Sequence, residues 1–94
     1  GGNVGCCAVM AARAMKLRIA TCYFSVNAAI NRNFRYVRAQ MRAARGAGAD
    51  VVHFPEGALS GYAGTDFKSF RGFDWPLLEQ RARDVIVLAR RLKL

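Results

Sequence analysis

The fold is decided by residues 17–54, which read LRIATCYFSVNAAINRNFRYVRAQMRAARGAGADVVHF. Residues 17–24 form a short apolar run rich in branched and aromatic side chains, which is typical of a strand buried on both faces. Residues 50–54 form a second short run, and Pro55 ends it because proline donates no hydrogen bond to a strand ladder. The two runs predict two short strands.

The segment between these strands has the spacing of an amphipathic helix. Its apolar residues recur every three or four positions, at Ile30, Phe34, Val37, Met41 and Ala44. Asn27 is available as the helix N-cap, and Gly46 or Gly48 supplies the C-terminal stop. Strand, helix and strand in this order predict a βαβ unit with parallel strands.

Residues 56–73 predict a long loop that contains four glycines. A loop of this length without secondary structure of its own is typically functional or disordered. Asp74 can then cap a second helix that has Pro76 in its first turn. The apolar stripe of that helix consists of Leu78, Ala82, Val85, Ala89 and Leu92. The predicted fold class is therefore α/β, with the element order βαβα.

The hydrophobic content of the chain, and the sheet surface that the predicted helices leave uncovered, indicate how far the folded domain extends. Of the 94 residues 53% are hydrophobic, which argues against disorder, and no run approaches the roughly 18 apolar residues of a membrane span. Residues 1–15 show neither strand nor helix periodicity, so we expect a disordered leader or sequence upstream of a true start. Parallel sheets are normally covered on both faces, whereas a βαβα unit leaves part of its sheet open. We therefore expect residues 16–94 to begin a larger α/β domain.

Cysteine and histidine usage gives no sign of a disulfide framework or a metal site. Cys6 and Cys7 are adjacent, Cys22 makes the count odd, and no Cys-x-x-Cys spacing accompanies the single histidine, His53. A reducing, cytoplasmic setting is therefore expected. His53 falls on the second predicted strand, where we expect a core or interface residue rather than a catalytic one.

Glu56 is the sharpest candidate for a catalytic residue. It follows the second predicted strand at its carboxyl end, where open α/β sheets place their ligand sites. A carboxylate held there against Phe54, Pro55 and Leu59 would be partly desolvated and would act as a better base near neutral pH. Position alone also allows a solvated loop acid or a helix-capping carboxylate.

Residues 54–62, FPEGALSGY, resemble the glutamate motif of the nitrilase superfamily, the carbon–nitrogen hydrolases. The similarity includes the first strand, KLRIATCYF, and a helix with an internal asparagine, Asn31. It continues through the Gly-Ala-Asp turn of residues 48–50 into the second strand. The resemblance covers roughly residues 16–94, the N-terminal third of that family's catalytic domain.

The resemblance implies a four-layer α-β-β-α sandwich and a Glu-Lys-Cys triad that cleaves non-peptide C–N bonds through a cysteine acyl-enzyme. Glu56 matches the family's general base. The lysine and cysteine are expected beyond Leu94, so the 94-residue chain alone should not turn over substrate. The implied substrates are small amides, ureido compounds or nitriles. The full-length protein is expected to be a homo-oligomer without metal, organic cofactor, membrane or nucleic-acid partner.

Several aromatic residues on or beside the glycine-rich loop fit either a pocket wall or packing over the sheet edge: Tyr62, Phe67, Phe70, Phe73 and Trp75. Of these, Tyr62 is the candidate for a substrate-pocket residue.

The uneven charge suggests a second function. The net charge is +9, and residues 1–47 contain eight basic residues and no acid. Four arginines share one flank of the first predicted helix: Arg35, Arg38, Arg42 and Arg45. They favour a basic module that binds nucleic acid or an anionic surface, although a solvated helix face accounts for the same charges. A third interpretation is a structural piece that is misfolded or oligomeric alone.

Overall fold

A computed structural model describes residues 7–12 and 16–94 of the chain. Three strands and two helices follow one another in the order β1 (Cys7–Ala12), β2 (Leu17–Cys22), α1 (Ile30–Gly46), β3 (Val51–His53) and α2 (Trp75–Leu92). The strands form one sheet with the order β1-β2-β3, in which β2 and β3 are parallel and β1 is antiparallel to β2. The predicted α/β class and the parallel βαβ unit are confirmed.

Strand β1 corrects the expectation that residues 1–15 contain no secondary structure. Cys7–Ala12 pairs with the whole length of Leu17–Cys22, so β2 lies in the middle of the sheet. The sequence of β1, CAVMAA, has no alternation of polar and apolar residues, and its pairing satisfies the backbone groups along an edge of β2. The prediction of a disordered leader also covers residues 1–6 and 13–15, which lie outside the described residues.

The turn from α1 into β3 fixes the register of the parallel strands. Gly48 has a φ of 89°, a left-handed conformation that favours glycine, and its N–H donates to the Arg45 carbonyl. Asp50 then forms two hydrogen bonds with Arg18. Its N–H donates to the Arg18 carbonyl at 2.8 Å, and its carboxylate accepts from the Arg18 N–H at 3.0 Å. These bonds align β3 with β2 at the residue before the first pair, Ile19 and Val51.

Helix α1 buries the face that its periodicity predicts. All five residues of the predicted stripe are buried: Ile30, Phe34, Val37, Met41 and Ala44. The predicted N-cap is wrong, because Ala29 occupies that position without a side-chain bond to the helix. Asn27 lies two residues earlier, where its side-chain oxygen accepts from the Ala29 N–H at 2.7 Å. Asn27 therefore shapes the turn before the helix.

Helix α2 begins as predicted, with the Asp74 carboxylate accepting from the Leu77 N–H at 3.0 Å. Its predicted apolar stripe is only half buried, whereas Leu88, outside that stripe, is buried. Leu88 packs with Val37 and Met41 of α1, because α2 lies beside α1. The helix ends at a C-cap that the sequence does not predict. This C-cap is Lys93, which adopts a left-handed φ of 58°.

The two faces of the sheet differ in burial. On one face Ala20 and Cys22 pack beneath α1 with Ala44 and Ala49. On the other face Ile19 is half buried, whereas the remaining residues near the carboxyl edge are exposed: Thr21, Val51, His53 and Tyr23, which directly follows β2. The prediction that the first strand is buried on both faces is wrong for the described residues, and so is the core placement of His53. The expectation that a βαβα unit leaves sheet surface open is confirmed.

Candidate functional site

Glu56 lies where the sequence predicts, three residues after β3 (Val51–His53) ends, at the carboxyl edge of the parallel strands. Its side chain is exposed, which corrects the expected desolvation. The three apolar neighbours expected to shield it, Phe54, Pro55 and Leu59, are themselves half buried. Among the described residues none forms a side-chain hydrogen bond or ion pair with the Glu56 carboxylate. Its position fits a catalytic base, but its surroundings are open.

The loop that follows Glu56 is tightly folded. Gly57 and Gly61 both adopt left-handed conformations, with φ of 69° and 85°, and the Gly61 N–H donates to the Gly57 carbonyl at 2.9 Å. A Cβ atom on Gly61 would come within 2.7 Å of the Asn27 carbonyl oxygen. Gly61 is therefore required both by its backbone conformation and by the close approach of the chain.

Asn33 connects this loop to α1. Its side chain is fully buried, and its Nδ2 donates to the carbonyl oxygens of Asn27 at 2.7 Å and Leu59 at 3.0 Å. Its Oδ1 accepts from the Asn27 N–H at 3.1 Å. One asparagine thus holds the segment after β2 and the loop after β3 together.

The asparagine that the resemblance matches, Asn31, lies in a different environment. Asn31 is exposed, and its side-chain oxygen accepts from Arg81 Nε at 2.8 Å. The buried asparagine is Asn33, two positions later on the face that packs against the loop. The spacing itself contained the signal, because Asn33 lies four residues before Val37 on the predicted apolar stripe.

Gln40 is a second buried amide that the apolar pattern misses. It is fully buried on α1, and its Nε2 donates to the Tyr23 carbonyl at 2.7 Å. Tyr23 is the first residue after β2. Asn33 and Gln40 lie seven residues apart, which places them two turns apart on one helix face. Helix α1 therefore positions the carboxyl-edge segments of both parallel strands through side-chain amides.

Tyr62, the predicted pocket residue, lies in the loop that follows Glu56 and is held there by backbone hydrogen bonds. Its N–H donates to the Asp66 carboxylate at 2.7 Å, and its carbonyl accepts from the Asp66 N–H at 2.8 Å. The side chain is 37% exposed. A Cβ atom on Gly57 would lie 3.6 Å from Cδ1 of Tyr62, so the tyrosine ring lies against the residue next to Glu56. Tyr62 and Glu56 thus belong to one loop surface.

The other predicted pocket aromatics form a separate cluster. Phe67 and Phe73 lie 5.1 Å apart between ring centroids, Phe73 and Trp75 4.6 Å, and Phe70 and Trp75 5.3 Å. Tyr62 does not belong to this cluster. Because the rings pack on one another, packing is the interpretation that the structure favours for these four residues.

The described residues do not assemble a complete triad around Glu56. Cys22 is 1% exposed and packs with small apolar residues beneath α1, so a substrate has no access to its thiol. Lys68 and Lys93 are exposed, one on the long loop and one at the end of α2. Within the described part of the chain, no three side chains of His, Cys, Asp or Glu converge as a metal site would require.

The arginine flank of α1 divides into two environments. Arg45 Nη1 donates to the Ala49 carbonyl at 2.9 Å and lies 3.8 Å from the Asp50 carboxylate. Arg35, Arg38 and Arg42 instead line hollows between α1 and α2.

Neither helix among the described residues is long and apolar enough to cross a membrane.

No protein-family model matches the chain, and no curated protein or solved structure shows significant similarity to it. The resemblance to the nitrilase superfamily therefore depends on sequence alone, chiefly on the motif of residues 54–62.

Proposed function

We propose that the chain is the N-terminal part of a carbon–nitrogen hydrolase of the nitrilase superfamily, with Glu56 as its general base. The observation that supports this most is the position of Glu56, three residues after β3 at the carboxyl edge of two parallel strands. The motif of residues 54–62 provides the sequence counterpart.

The fixed loop gives this proposal a physical basis. A general base must come within about 2.6–3.2 Å of the group whose proton it accepts, so its backbone has to be held in place. Asn33 holds the loop at Leu59, and Gly57 and Gly61 allow its tight course. The Glu56 backbone is thus positioned by contacts within this chain.

In the proposed reaction Glu56 accepts the proton of a cysteine thiol supplied by sequence beyond residue 94. The thiolate attacks the carbon of an amide, ureido or nitrile group, and a lysine from the same downstream sequence stabilises the negative charge that develops on the substrate. Glu56 returns the proton to the nitrogen, which leaves an amide or ureido group as ammonia or an amine, so that a thioester or thiocarbamate remains. A nitrile first gives a thioimidate, which takes up one water before ammonia leaves and the thioester remains. Water activated by Glu56 then hydrolyses the thioester and releases the acid.

The same proposal accounts for the open surfaces. In the complete enzyme, downstream elements would cover the exposed sheet face that includes Tyr23 and Val51, which are 59% and 41% exposed. They would also enclose Glu56, and partial desolvation would make it a better base. Tyr62 would form one wall of the substrate pocket, and a homo-oligomer in a reducing cytoplasm is the expected form of the full-length protein.

The test is an activity assay on the protein encoded by the complete reading frame. We expect ammonia release from at least one member of a panel of small amides, ureido compounds and nitriles, and inactivation by thiol alkylation. Glu56→Gln should lower kcat by about 10²-fold or more, because general-base catalysis contributes about that much. Glu79→Gln removes another exposed carboxylate and should leave kcat unchanged.

Two results would overturn the proposal. One is a complete reading frame that encodes no downstream lysine and cysteine. The other is a Glu56→Gln enzyme with the same kcat as the unaltered protein. The 94-residue chain assayed alone should release no ammonia.

A further inference from the structure

Two arginines from different helices converge on one aromatic ring. The guanidinium carbon of Arg38, on α1, lies 5.4 Å from the centroid of the Phe34 ring, and that of Arg81, on α2, lies 5.1 Å from it. Phe34 is itself buried. An electron-rich ring face attracts cations, so the Phe34 ring helps to fix the positions of both guanidinium groups.

Arg81 is further oriented by hydrogen bonds. Its Nε donates to the Asn31 side-chain oxygen at 2.8 Å, and its Nη1 donates to the Asp84 carboxylate at 2.7 Å. Arg81 thus contacts α1 through Asn31 and Phe34 and contacts its own helix through Asp84. A guanidinium fixed in this way loses little conformational entropy when it binds a ligand.

A hollow of about 310 Å³ between the two helices, which we call the interhelical groove, is lined in part by Phe34, Arg38 and Arg81. Its charged lining consists of Arg38, Arg42, Arg81, Asp84 and Arg91. Among the described residues, Arg42 and Arg91 form no ion pair or side-chain hydrogen bond. Four guanidinium groups therefore face a single carboxylate, and that carboxylate is already bonded to Arg81.

We infer that the interhelical groove is a binding site for a phosphate-bearing anion. The N–H donors of a guanidinium match the oxygens of a phosphate group, and such bonds are shorter and stronger than neutral ones. Clustered positive charge in a concave site also concentrates anions from solution. The volume suits a short chain of phosphate groups or a nucleotide, since small-ligand pockets measure roughly 300–1,000 Å³.

This site differs from the basic module that the sequence suggests. That module would use one flank of α1, whereas the groove requires Arg81 and Arg91 of α2 and does not include Arg45. It also differs from the proposed hydrolase site, because Glu56 and Tyr62 do not line it. The inference stands whether or not the protein is a hydrolase.

The test uses the 94-residue chain with tripolyphosphate as the probe, measured by titration calorimetry at about 20 mM salt. The double variant R42Q/R91Q removes two groove arginines that have no partner whose loss would disturb the fold. We expect it to weaken binding at least tenfold. The matched control R32Q/R90Q also removes one exposed arginine from each helix, outside the groove, and should weaken binding less than threefold.

A second titration distinguishes the source of the phosphate. A short DNA duplex that binds tightly and displaces tripolyphosphate would assign the groove to nucleic-acid phosphates, and a duplex that does not displace it would assign the groove to small phosphate compounds. The inference is overturned if tripolyphosphate does not bind at low salt, or if the two double variants weaken binding equally. Equal loss would mean that net charge alone attracts the anion. Circular dichroism of both variants establishes that they retain their helices.

Discussion

The buried side-chain amide of Asn33 donates a hydrogen bond to the backbone carbonyl of Leu59 at 3.0 Å, across 26 residues of sequence. Asn33 lies on α1, and Leu59 lies three residues after Glu56. The conformation of the candidate catalytic loop therefore depends on a helix that precedes it in the chain. Because the Asn33 side chain is fully buried, a change in the course of the loop would leave one of its amide N–H groups unbonded and shielded from water.

Asn33→Ala should destabilise the chain by about 1–3 kcal/mol, because the carbonyls of Asn27 and Leu59, both in half-buried residues, lose their shared donor. The change in the free energy of unfolding is measured by urea denaturation. Amide hydrogen exchange in the loop that contains Gly61 should also become faster, because the loop loses its attachment to α1.

Asn31→Ala is the matched control. Asn31 is exposed and has one side-chain bond, to Arg81, so its loss should cost less than about 1 kcal/mol. Equal destabilisation by the two substitutions would contradict the role assigned to Asn33.

Gly61→Ala should be more destabilising than Gly64→Ala. Both glycines have a left-handed φ, 85° and 88°, which costs an alanine about 1–2 kcal/mol. At Gly61 the added Cβ would also meet the Asn27 carbonyl oxygen at 2.7 Å, whereas at Gly64 nothing lies within 4 Å. We expect a difference of at least about 1 kcal/mol between the two variants in urea denaturation. Similar losses would show that Asn27 does not approach Gly61 closely.

The parts of the fold that the sequence predicts well are those set by local patterns. The stripe from Ile30 to Ala44 identifies the buried face of α1, and Asp74 marks the start of α2. These signals succeed because helix periodicity and capping depend on residues within a few positions of one another.

The features that sequence reasoning missed depend on contacts between distant segments. Strand β1 has no pattern of its own and is defined by pairing with β2. Helix spacing places Asn33 and Gln40 on the buried face of α1, but it does not reveal the carbonyls that they reach, 26 and 17 residues away. Leu88 is buried on α2 because α2 lies against α1. A pattern in one segment contains no information about the direction from which another segment approaches.

Glu56 shows the same difference between local patterns and contacts with distant segments. Its place after a strand is a local property, and the pattern ending at Pro55 predicts it. Its degree of burial depends on all the elements that surround it, and in the described residues its side chain is exposed. The position of Glu56 was therefore predictable from sequence, whereas the burial of its side chain was not.

Cys22 should resist alkylation in the folded chain. Its side chain is 1% exposed beneath α1, so iodoacetamide can reach the thiol only when the structure opens. We expect modification at least about 100-fold slower in buffer than in 6 M guanidinium chloride, because open states of a stable domain are rare. Peptide mass spectrometry quantifies the modified fraction at this residue. Comparable rates under both conditions would show that the Cys22 thiol is accessible in the folded chain.

Asp74→Ala should cost about 1 kcal/mol of stability, because the Leu77 N–H at the first turn of α2 loses its side-chain acceptor. Asp74→Ser retains an acceptor of similar reach and should cost only a few tenths of a kcal/mol. The comparison is made by thermal unfolding, monitored by helix circular dichroism, with both variants at the same protein concentration. If serine and alanine were equally destabilising, the loss would come from the negative charge near the positive end of the helix dipole rather than from the cap bond.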